Sequence, residues 1–290
     1  MKHKKTLLIL VILITILSGI AALTGVMSNE GEESHKYESI RGETVEIYGR
    51  GIYEHMSKEV AIQGIAQDYV TLLLGIPGLI IALIFALRGS LKARFVLSGI
   101  TGYFLVTYLF YTAMAMYNHL FLVYASLLGL SFFAFILSLY SFDITGIKNY
   151  FKEDAAVRFG GAFLVFNAVM IALLWLSVII PPLLEGTVYP SSLEHYTTLI
   201  VQGFDLGLLL PAAVVTGILA LRKRPFGYLF TPVYLVFLSL LMAALTAKLI
   251  AMGINGYAIV PAIFIIPVFM IVAFISSIII IGNVNDLKTE

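Results

Sequence analysis

Eight long apolar runs divide the sequence, and each is long enough to cross a lipid bilayer as a helix. A membrane-spanning helix takes about 20 consecutive apolar residues. The run from 95 to 140 is too long for one span, because it would extend ~69 Å as a single helix. The polar break at 117–119 therefore divides it into two. The predicted spans are 6–26, 68–87, 95–117, 120–140, 159–181, 199–221, 226–252 and 258–282.

The composition agrees with a chain that lies mostly in lipid. Hydrophobic residues make up 60% of the 290 residues and charged residues only 12%, whereas soluble domains carry about 25% charged residues. We therefore expect an all-α integral membrane protein, a bundle of eight transmembrane helices with one anchor helix and a seven-helix body. The absence of cysteine excludes disulfide bonds, thiolate metal sites and cysteine nucleophiles.

The distribution of lysine and arginine predicts the orientation of the spans, because these residues concentrate in short cytoplasmic loops. Of the 18 basic residues, 13 fall on one side of the predicted membrane. These are Lys2, Lys4, Lys5, Arg88, Lys92, Arg94, Lys148, Lys152, Arg158, Arg222, Lys223, Arg224 and Lys288. We expect this side to be cytoplasmic, with both termini on it and the chain in the plasma membrane.

Four regions follow from these spans. Residues 1–26 form a membrane anchor or a cleaved signal peptide, although an apolar stretch of about 20 residues is long for a signal peptide. Residues 27–67 form an extracytoplasmic segment that is acidic because it contains eight glutamates. Residues 68–282 form the seven-helix membrane bundle, and residues 283–290 form a cytoplasmic tail.

The acidic segment has its own local patterns. The stretch 28–39, "SNEGEESHKYES", has the polar composition of a flexible linker. The stretch 43–53, "ETVEIYGRGIY", alternates around Gly49 and Gly51 and predicts a short hairpin. Ser57 is a candidate N-cap for a helix that either lies at the membrane interface or continues into the second span.

Three stretches resemble a group of bacterial and archaeal multi-pass membrane proteins that has no assigned activity. They are "GIYEHMSKEVAIQGIAQDYVTLLLGIPGLI", "LRGSLKAR" and "YNHLFLVYASLLGLSFFAFI". The resemblance covers roughly residues 48–140 and, more weakly, 199–230. It implies a prokaryotic membrane location, and it carries over no functional residues.

Polar side chains inside apolar spans are rare and often mark functional sites. The candidate ligand-binding residues gather toward the outer ends of the spans: Asp68, Asn118, His119, Gln202, Asp205 and Lys248. Asp205 lies ~9 Å into the sixth span, and Lys248 lies ~7.5 Å before the end of the seventh. A short basic turn joins these two spans, which makes them antiparallel neighbours. An Asp205–Lys248 ion pair would remove most of the energetic cost of burying either charge.

Simpler interpretations remain open for three of these residues. Lys248 could extend its ammonium group to the membrane interface without any partner. Asp68 could be a helix N-cap at the interface, and His119 could be an ordinary turn residue. A functional role and a purely structural one stay equally open for Asp205, whose short side chain cannot extend far toward the interface.

Small residues and prolines in the same spans add weaker predictions. Gly203 and Gly207 form a small-xxx-small pattern, which favours close approach by a neighbouring helix. Pro77 and Pro211 interrupt the second and sixth spans, and such interruptions can border a cavity. Two stripes at helical spacing are expected to face the bundle interior: Tyr103, Thr107, Tyr111, Met114 and Asn118 in one span, and Tyr124, Ser131 and Ser138 in the next.

The sequence contains no phosphate-binding loop, dinucleotide fingerprint or catalytic motif of a hydrolase. We expect no cofactor, no metal and no nucleic-acid partner; the expected partners are the lipid bilayer and a small-molecule ligand, and the oligomeric state stays open.

The first hypothesis is binding or transport of a small polar or lipid ligand from the outer side, and a zwitterionic or anionic ligand would suit a lysine beside aspartates. The alternatives are a membrane-embedded enzyme at the outer leaflet, with Asp205 or His119 as acid or base, and a sensor or assembly scaffold.

Overall fold

The computed structural model describes residues 3–285, which contain eight helices long and apolar enough to cross a membrane. They are α1 (Lys4–Met27), α2 (Lys58–Leu87), α3 (Leu91–Met114), α4 (Phe121–Leu139), α5 (Asp154–Glu185), α6 (Ile200–Leu221), α7 (Pro225–Ile254) and α8 (Ala262–Gly282). The predicted helical class and number of spans are thus confirmed, and the chain is a polytopic membrane protein. The predicted tail lies outside the described residues from position 286 onward.

The second helix begins well before the predicted second span. Ser57 is its N-cap, since the Ser57 hydroxyl accepts a hydrogen bond from the Val60 N–H. The helix then continues without a break to Leu87. Of the two options for the helix after Ser57, continuation into the membrane span is therefore the one that occurs.

Between α1 and α2 the chain forms a short hairpin, at a different place from the predicted one. Strand β1 (His35–Glu38) pairs antiparallel with β2 (Thr44–Ile47), so the turn lies at 39–43. The linker prediction was wrong for β1. We call residues 28–57 the hairpin segment. The end of the helix bundle next to this segment is called the hairpin end, and the opposite end, where the basic loops lie, is called the basic end.

Local hydrogen bonds explain why the turn forms at 39–43. The Ser39 hydroxyl accepts hydrogen bonds from the backbone N–H groups of Arg41 and Glu43, and Gly42 adopts a left-handed φ of 78°. A serine turn followed by a left-handed glycine reverses the chain in few residues. Gly49 and Gly51 also have positive φ, but they lead the chain into a short 3₁₀ helix, Gly51–Tyr53.

The loop between α5 and α6 packs onto the hairpin segment. The Arg41 guanidinium donates to the backbone carbonyls of Glu194 at 2.5 Å and Tyr196 at 2.8 Å. The Ser57 hydroxyl donates to Glu194 Oε2 at 2.5 Å. Burial raises the pKa of Glu194 above its ordinary value of 4.5, although the hydrogen bond from Ser57 opposes this shift. The cover at the hairpin end is therefore built from two separate parts of the chain.

Arg41→Ala should release the 186–199 loop from this cover. The substitution removes two hydrogen bonds from a charged donor, each of which contributes about 1.5–3 kcal/mol. We expect a glutamate-specific protease to cleave the loop on the order of ten times faster in the purified, detergent-solubilised variant. Lys36→Ala, an exposed basic residue in the same segment, is the control. Equal cleavage of Arg41→Ala and Lys36→Ala would contradict the docking role of Arg41.

The helices pack with α7 at the centre of the contacts. This helix contacts α2, α3, α5, α6 and α8, whereas α1 packs against α2 and α4. The interior contains the predicted polar stripes: Tyr103, Thr107, Tyr124, Ser131 and Ser138 are buried. The prediction that these stripes face the interior is confirmed for these five residues.

Helices α2 and α6 are two versions of the same element, related by a constant offset in the sequence. Each contains one wider π-helical turn, Thr71–Gly75 in α2 and Asp205–Leu209 in α6. A proline follows two residues later in both helices, in "PGLIIALIFALR" from Pro77 and "PAAVVTGILALR" from Pro211. The inward-facing positions also correspond: Leu79, Ala82, Leu83 and Ala86 match Ala213, Thr216, Gly217 and Ala220.

The correspondence extends to the neighbouring helices. Both helices end at an arginine followed by one left-handed residue, Gly89 in the first case and Lys223 in the second. The packing repeats as well, since α1–α2, α2–α3 and α3–α4 contacts match α5–α6, α6–α7 and α7–α8 contacts. The order of helix contacts is therefore the same in α1–α4 as in α5–α8, and we call these two halves of the chain the first and the second repeat.

Candidate functional site

Asp68 lies inside α2, where its carboxylate is buried and each of its two oxygens accepts a hydrogen bond. Tyr53 of the hairpin segment donates to Oδ2 at 2.5 Å, and Tyr111 of α3 donates to Oδ1 at 2.8 Å. Asp68 is only 4% exposed. Because Ser57 caps the helix, the N-cap interpretation of Asp68 was wrong. Burial and the nearby Asp68 raise the pKa of Tyr53 well above its ordinary value of 10.0, so this phenol stays protonated and remains a donor.

A glycine on α1 provides the space for this carboxylate. Gly25 is buried against Asp68, and a Cβ atom built on Gly25 would overlap Asp68 Oδ2 and lie 2.8 Å from its Cγ. The same atom would lie 3.0 Å from the Tyr53 hydroxyl. The first helix is thus part of the wall around Asp68.

Asp205 begins the π-helical turn of α6, and it is held by a neighbour that the sequence pattern did not suggest. The indole N–H of Trp175, on α5, donates to Asp205 Oδ2 at 2.7 Å. The wider turn lets the helix axis shift before Pro211, and π-turns are frequent at functional sites. Asp205 is partly buried.

Lys248 lies on α7, which packs against both α2 and α6, the helices that carry Asp68 and Asp205. Its ammonium group interacts electrostatically with Asp68 and with Asp205. Among the ion pairs within residues 3–285, however, none joins Lys248 to either carboxylate. The predicted Asp205–Lys248 ion pair is therefore absent. Helix α7 packs against α2 as well as α6. The lysine therefore interacts electrostatically with both carboxylates instead of forming an ion pair with Asp205.

The three remaining candidate residues lie in different surroundings. Asn118 belongs to the turn between α3 and α4, where its Oδ1 accepts from the Leu120 N–H and its Nδ2 donates to the Ile52 carbonyl. His119, beside it, is exposed. Gln202 is partly buried on α6, one turn before Asp205. The structure thus places Lys248 within electrostatic range of Asp68 and Asp205, and Asn118 connects the turn to the hairpin segment.

The close helix contact predicted at Gly203 and Gly207 is found elsewhere. A Cβ atom built on either glycine would have no neighbour within 4 Å. The tight approach of α6 to α5 is instead at Gly217 and Gly161, near the basic end, where each glycine faces the backbone of the other. Gly203 and Gly207 are both exposed, so the face of α6 that carries them does not contact a neighbouring helix.

A groove of about 410 Å³ runs between α2 and α7 beside the lysine. Ala247 and Ala251, which flank Lys248 in α7, form one wall. Ala66 and Tyr69, which flank Asp68 in α2, belong to the other wall, and Tyr48 of the hairpin segment closes the top. The groove therefore lies beside sequence neighbours of Asp68 and Lys248, but neither of these two residues is part of its lining.

Sequence reasoning missed the side chains that hold the two carboxylates. Tyr111 was recognised as part of an inward-facing stripe, but not as a hydrogen-bond donor to Asp68. Trp175 is the single tryptophan of the chain, and its indole needs a polar partner inside a span, which was a usable indication. Nothing in the sequence indicated that Tyr53 and Gly25 lie close to Asp68, because this proximity depends on how the hairpin segment and α1 pack.

Within residues 3–285 no group of three histidine, aspartate or glutamate side chains has the arrangement of a metal site. No family model, curated protein or solved structure matches the sequence.

Proposed function

We propose that this chain binds a small zwitterionic solute at the Asp68–Asp205–Lys248 cluster and carries it across the plasma membrane. The observation that supports this most directly is the Lys248 ammonium, which interacts electrostatically with two carboxylates but forms no ion pair with any residue in the described part of the chain, 3–285. An unpaired ammonium in a mostly apolar helix is energetically unfavourable unless a ligand or water compensates it. A solute carboxylate would pair with Lys248, and a solute ammonium would pair with Asp205.

Transport, rather than binding alone, is supported by the two-repeat construction. Parallel repeats form the two halves of several transporter folds, with the solute site between them. Here Asp205 belongs to the second repeat and Asp68 to the first, so the cluster lies where the two repeats meet. The π-turns beside Thr71 and Asp205 would allow α2 and α6 to bend on opening, because such turns weaken the regular helix.

The orientation of the site follows from the basic residues. Loading from the outside requires the hairpin end to be extracytoplasmic and both termini to be cytoplasmic. The concentration of lysine and arginine at the basic end supports this orientation. The packing of α1 around Asp68 supports an uncleaved first helix, because removal of α1 would expose that carboxylate.

The proposal is tested by thermal stability of the purified full chain in the presence of each common amino acid and its decarboxylated amine. A solute present at 100 times its dissociation constant stabilises the folded state by about 2.7 kcal/mol. We expect at least one amino acid, and not its amine, to raise the melting temperature. Lys248→Met should abolish that rise, because the solute carboxylate loses its partner.

Lys58→Met is the matched control, since Lys58 pairs with Glu46 at the surface and not with the cluster. It should respond to the solute as the wild type does. The proposal fails if no amino acid stabilises the wild type, or if the response persists in Lys248→Met. Uptake of the stabilising amino acid into proteoliposomes then separates transport from binding.

A further inference from the structure

We infer that Asp68 is a reversible proton-binding site, and that Tyr111 switches its hydroxyl hydrogen between two acceptors to accommodate both forms of the carboxyl group. The physiological role of this proton rests on the proposed function, because the proton would be the ion that accompanies the solute. Its test requires no solute.

The hydrogen bonds around Tyr111 carry this inference. The Tyr111 hydroxyl lies 2.8 Å from Asp68 Oδ1 and 3.2 Å from the Gly64 carbonyl oxygen, one turn earlier in α2. A hydroxyl has one hydrogen to donate, so it can serve only one of these acceptors at a time. The Gly64 carbonyl oxygen can therefore accept the Tyr111 hydrogen when Asp68 is protonated and no longer accepts it.

The two states balance in atoms and charge. With Asp68 ionised, both Tyr53 and Tyr111 donate to the carboxylate. When a proton from water binds Oδ1, the new O–H donates to the Tyr111 oxygen, and the Tyr111 hydrogen turns to the Gly64 carbonyl. No hydrogen-bonding group loses its partner in either state, which keeps both states accessible in a buried site.

The net charge of the cluster also favours a bound proton. Two carboxylates and one ammonium carry a net charge of −1 when all are ionised, and an uncompensated charge among membrane helices is energetically unfavourable. Protonation of Asp68 leaves one carboxylate, Asp205, for one ammonium, Lys248. A neutral zwitterionic solute would not remove this charge, so a proton is needed beside it.

Titratable groups from four packed elements surround Asp68. The titratable groups that interact with it are Tyr53 from the hairpin segment, Tyr103, Tyr108 and Tyr111 from α3, Tyr124 from α4 and Lys248 from α7. The α1 face contributes Gly25. Only one of these groups is a cation, and the tyrosine oxygens lie at direct hydrogen-bond distances of 2.5 and 2.8 Å. These distances leave no room for a metal cation between them.

Infrared difference spectroscopy of the purified full chain, stepped in pH in lipid nanodiscs, measures the protonation directly. The C=O stretch of a protonated, buried carboxylic acid should appear as the pH falls. The band should be absent in Asp68→Asn and retained in Asp154→Asn, the matched control on an aspartate that pairs with Lys223 outside the cluster. In Tyr111→Phe the midpoint should move up by about one pH unit or more, because the carboxylate loses a donor.

Each other outcome decides against the inference. A band that survives in Asp68→Asn, a wild type without a titrating band, or an unchanged midpoint in Tyr111→Phe overturns it. If Asp68→Asn does not fold, the Tyr111→Phe midpoint decides alone. Failure here is distinct from failure of the proposed function: a wild type that responds to an amino acid but shows no titrating carboxyl group defeats only this inference, and the reverse result defeats only the proposed function.

Discussion

Gly25→Ala is expected to destabilise the protein by about 2–3 kcal/mol, although a glycine-to-alanine change inside a helix normally stabilises it by about 0.5–1 kcal/mol. The added methyl group would occupy the position of Asp68 Oδ2. Either α1 moves away from α2, or the carboxylate leaves its two tyrosine donors. Thermal unfolding of the purified protein in detergent should therefore begin at a clearly lower temperature.

Gly19→Ala is the control for this experiment, because it makes the same change in the same helix. A Cβ atom on Gly19 meets only Ile76 Cδ1, at 4.0 Å, which is an ordinary van der Waals contact. We expect Gly19→Ala to melt at or slightly above the wild-type temperature. Similar melting temperatures for the two variants would show that α1 does not contact Asp68 as described.

A double mutant separates the steric effect from a general weakness of α1. Asp68→Ala removes the atoms that the Gly25 methyl group would meet, although it leaves Tyr53 and Tyr111 without their acceptor. The two changes should therefore be strongly non-additive, with Gly25→Ala having little further effect in the Asp68→Ala background. Additive losses would indicate that the two residues do not touch.

The membrane helices could be predicted from the sequence because each corresponds to a continuous apolar run. Basic residues are concentrated in every second loop between these runs. The N-cap of α2 at Ser57 was also predicted, but the sequence did not decide whether that helix lies at the interface or continues into the second span, because residues 58–67 are more polar than the spans. Their helical state depends on the Ser57 cap and on packing against α7. The hairpin was misplaced because two neighbouring glycines suggested a turn, whereas the Ser39 hydrogen bonds make one earlier in the chain.

The cluster was only half predictable. The depth of Asp205 and Lys248 follows from counting along their helices, but which carboxylate faces the lysine depends on the contact between α7 and α2. That contact is between distant parts of the chain. The donors to the carboxylates come from three further elements, and no local pattern reports such tertiary hydrogen bonds.

The repeat shows that the cluster is asymmetric. By the constant offset that relates α2 to α6, Asp68 corresponds to Gln202, and Asp205 corresponds to Thr71. Lys248 corresponds to Met114 in the same way. Each charged position therefore has an uncharged counterpart in the other repeat. The proposed zwitterionic solute would therefore have one orientation in the cluster rather than two equivalent ones.

Gly217→Ala is the second change with a large expected effect, and it tests where α5 and α6 meet. A Cβ atom on Gly217 would collide with the Gly161 carbonyl oxygen and lie 2.6 Å from Val165 Cγ2. On the facing helix, a Cβ atom on Gly161 would lie 2.9 Å from the Gly217 carbonyl oxygen. Backbone atoms cannot rotate away as a flexible side chain can, so the helices must separate. We expect a loss of about 2 kcal/mol or more and a lower melting temperature.

Gly207→Ala makes the same change in the same helix and distinguishes the observed contact from the predicted one. The small-xxx-small pattern placed a tight approach at Gly203 and Gly207, yet a methyl group on Gly207 would meet no atom within 4 Å. This variant should keep the wild-type melting temperature or exceed it, because alanine restricts the unfolded chain more than glycine does. If Gly207→Ala were the more damaging of the two, the sequence pattern would be right and the α5–α6 contact at Gly161 wrong.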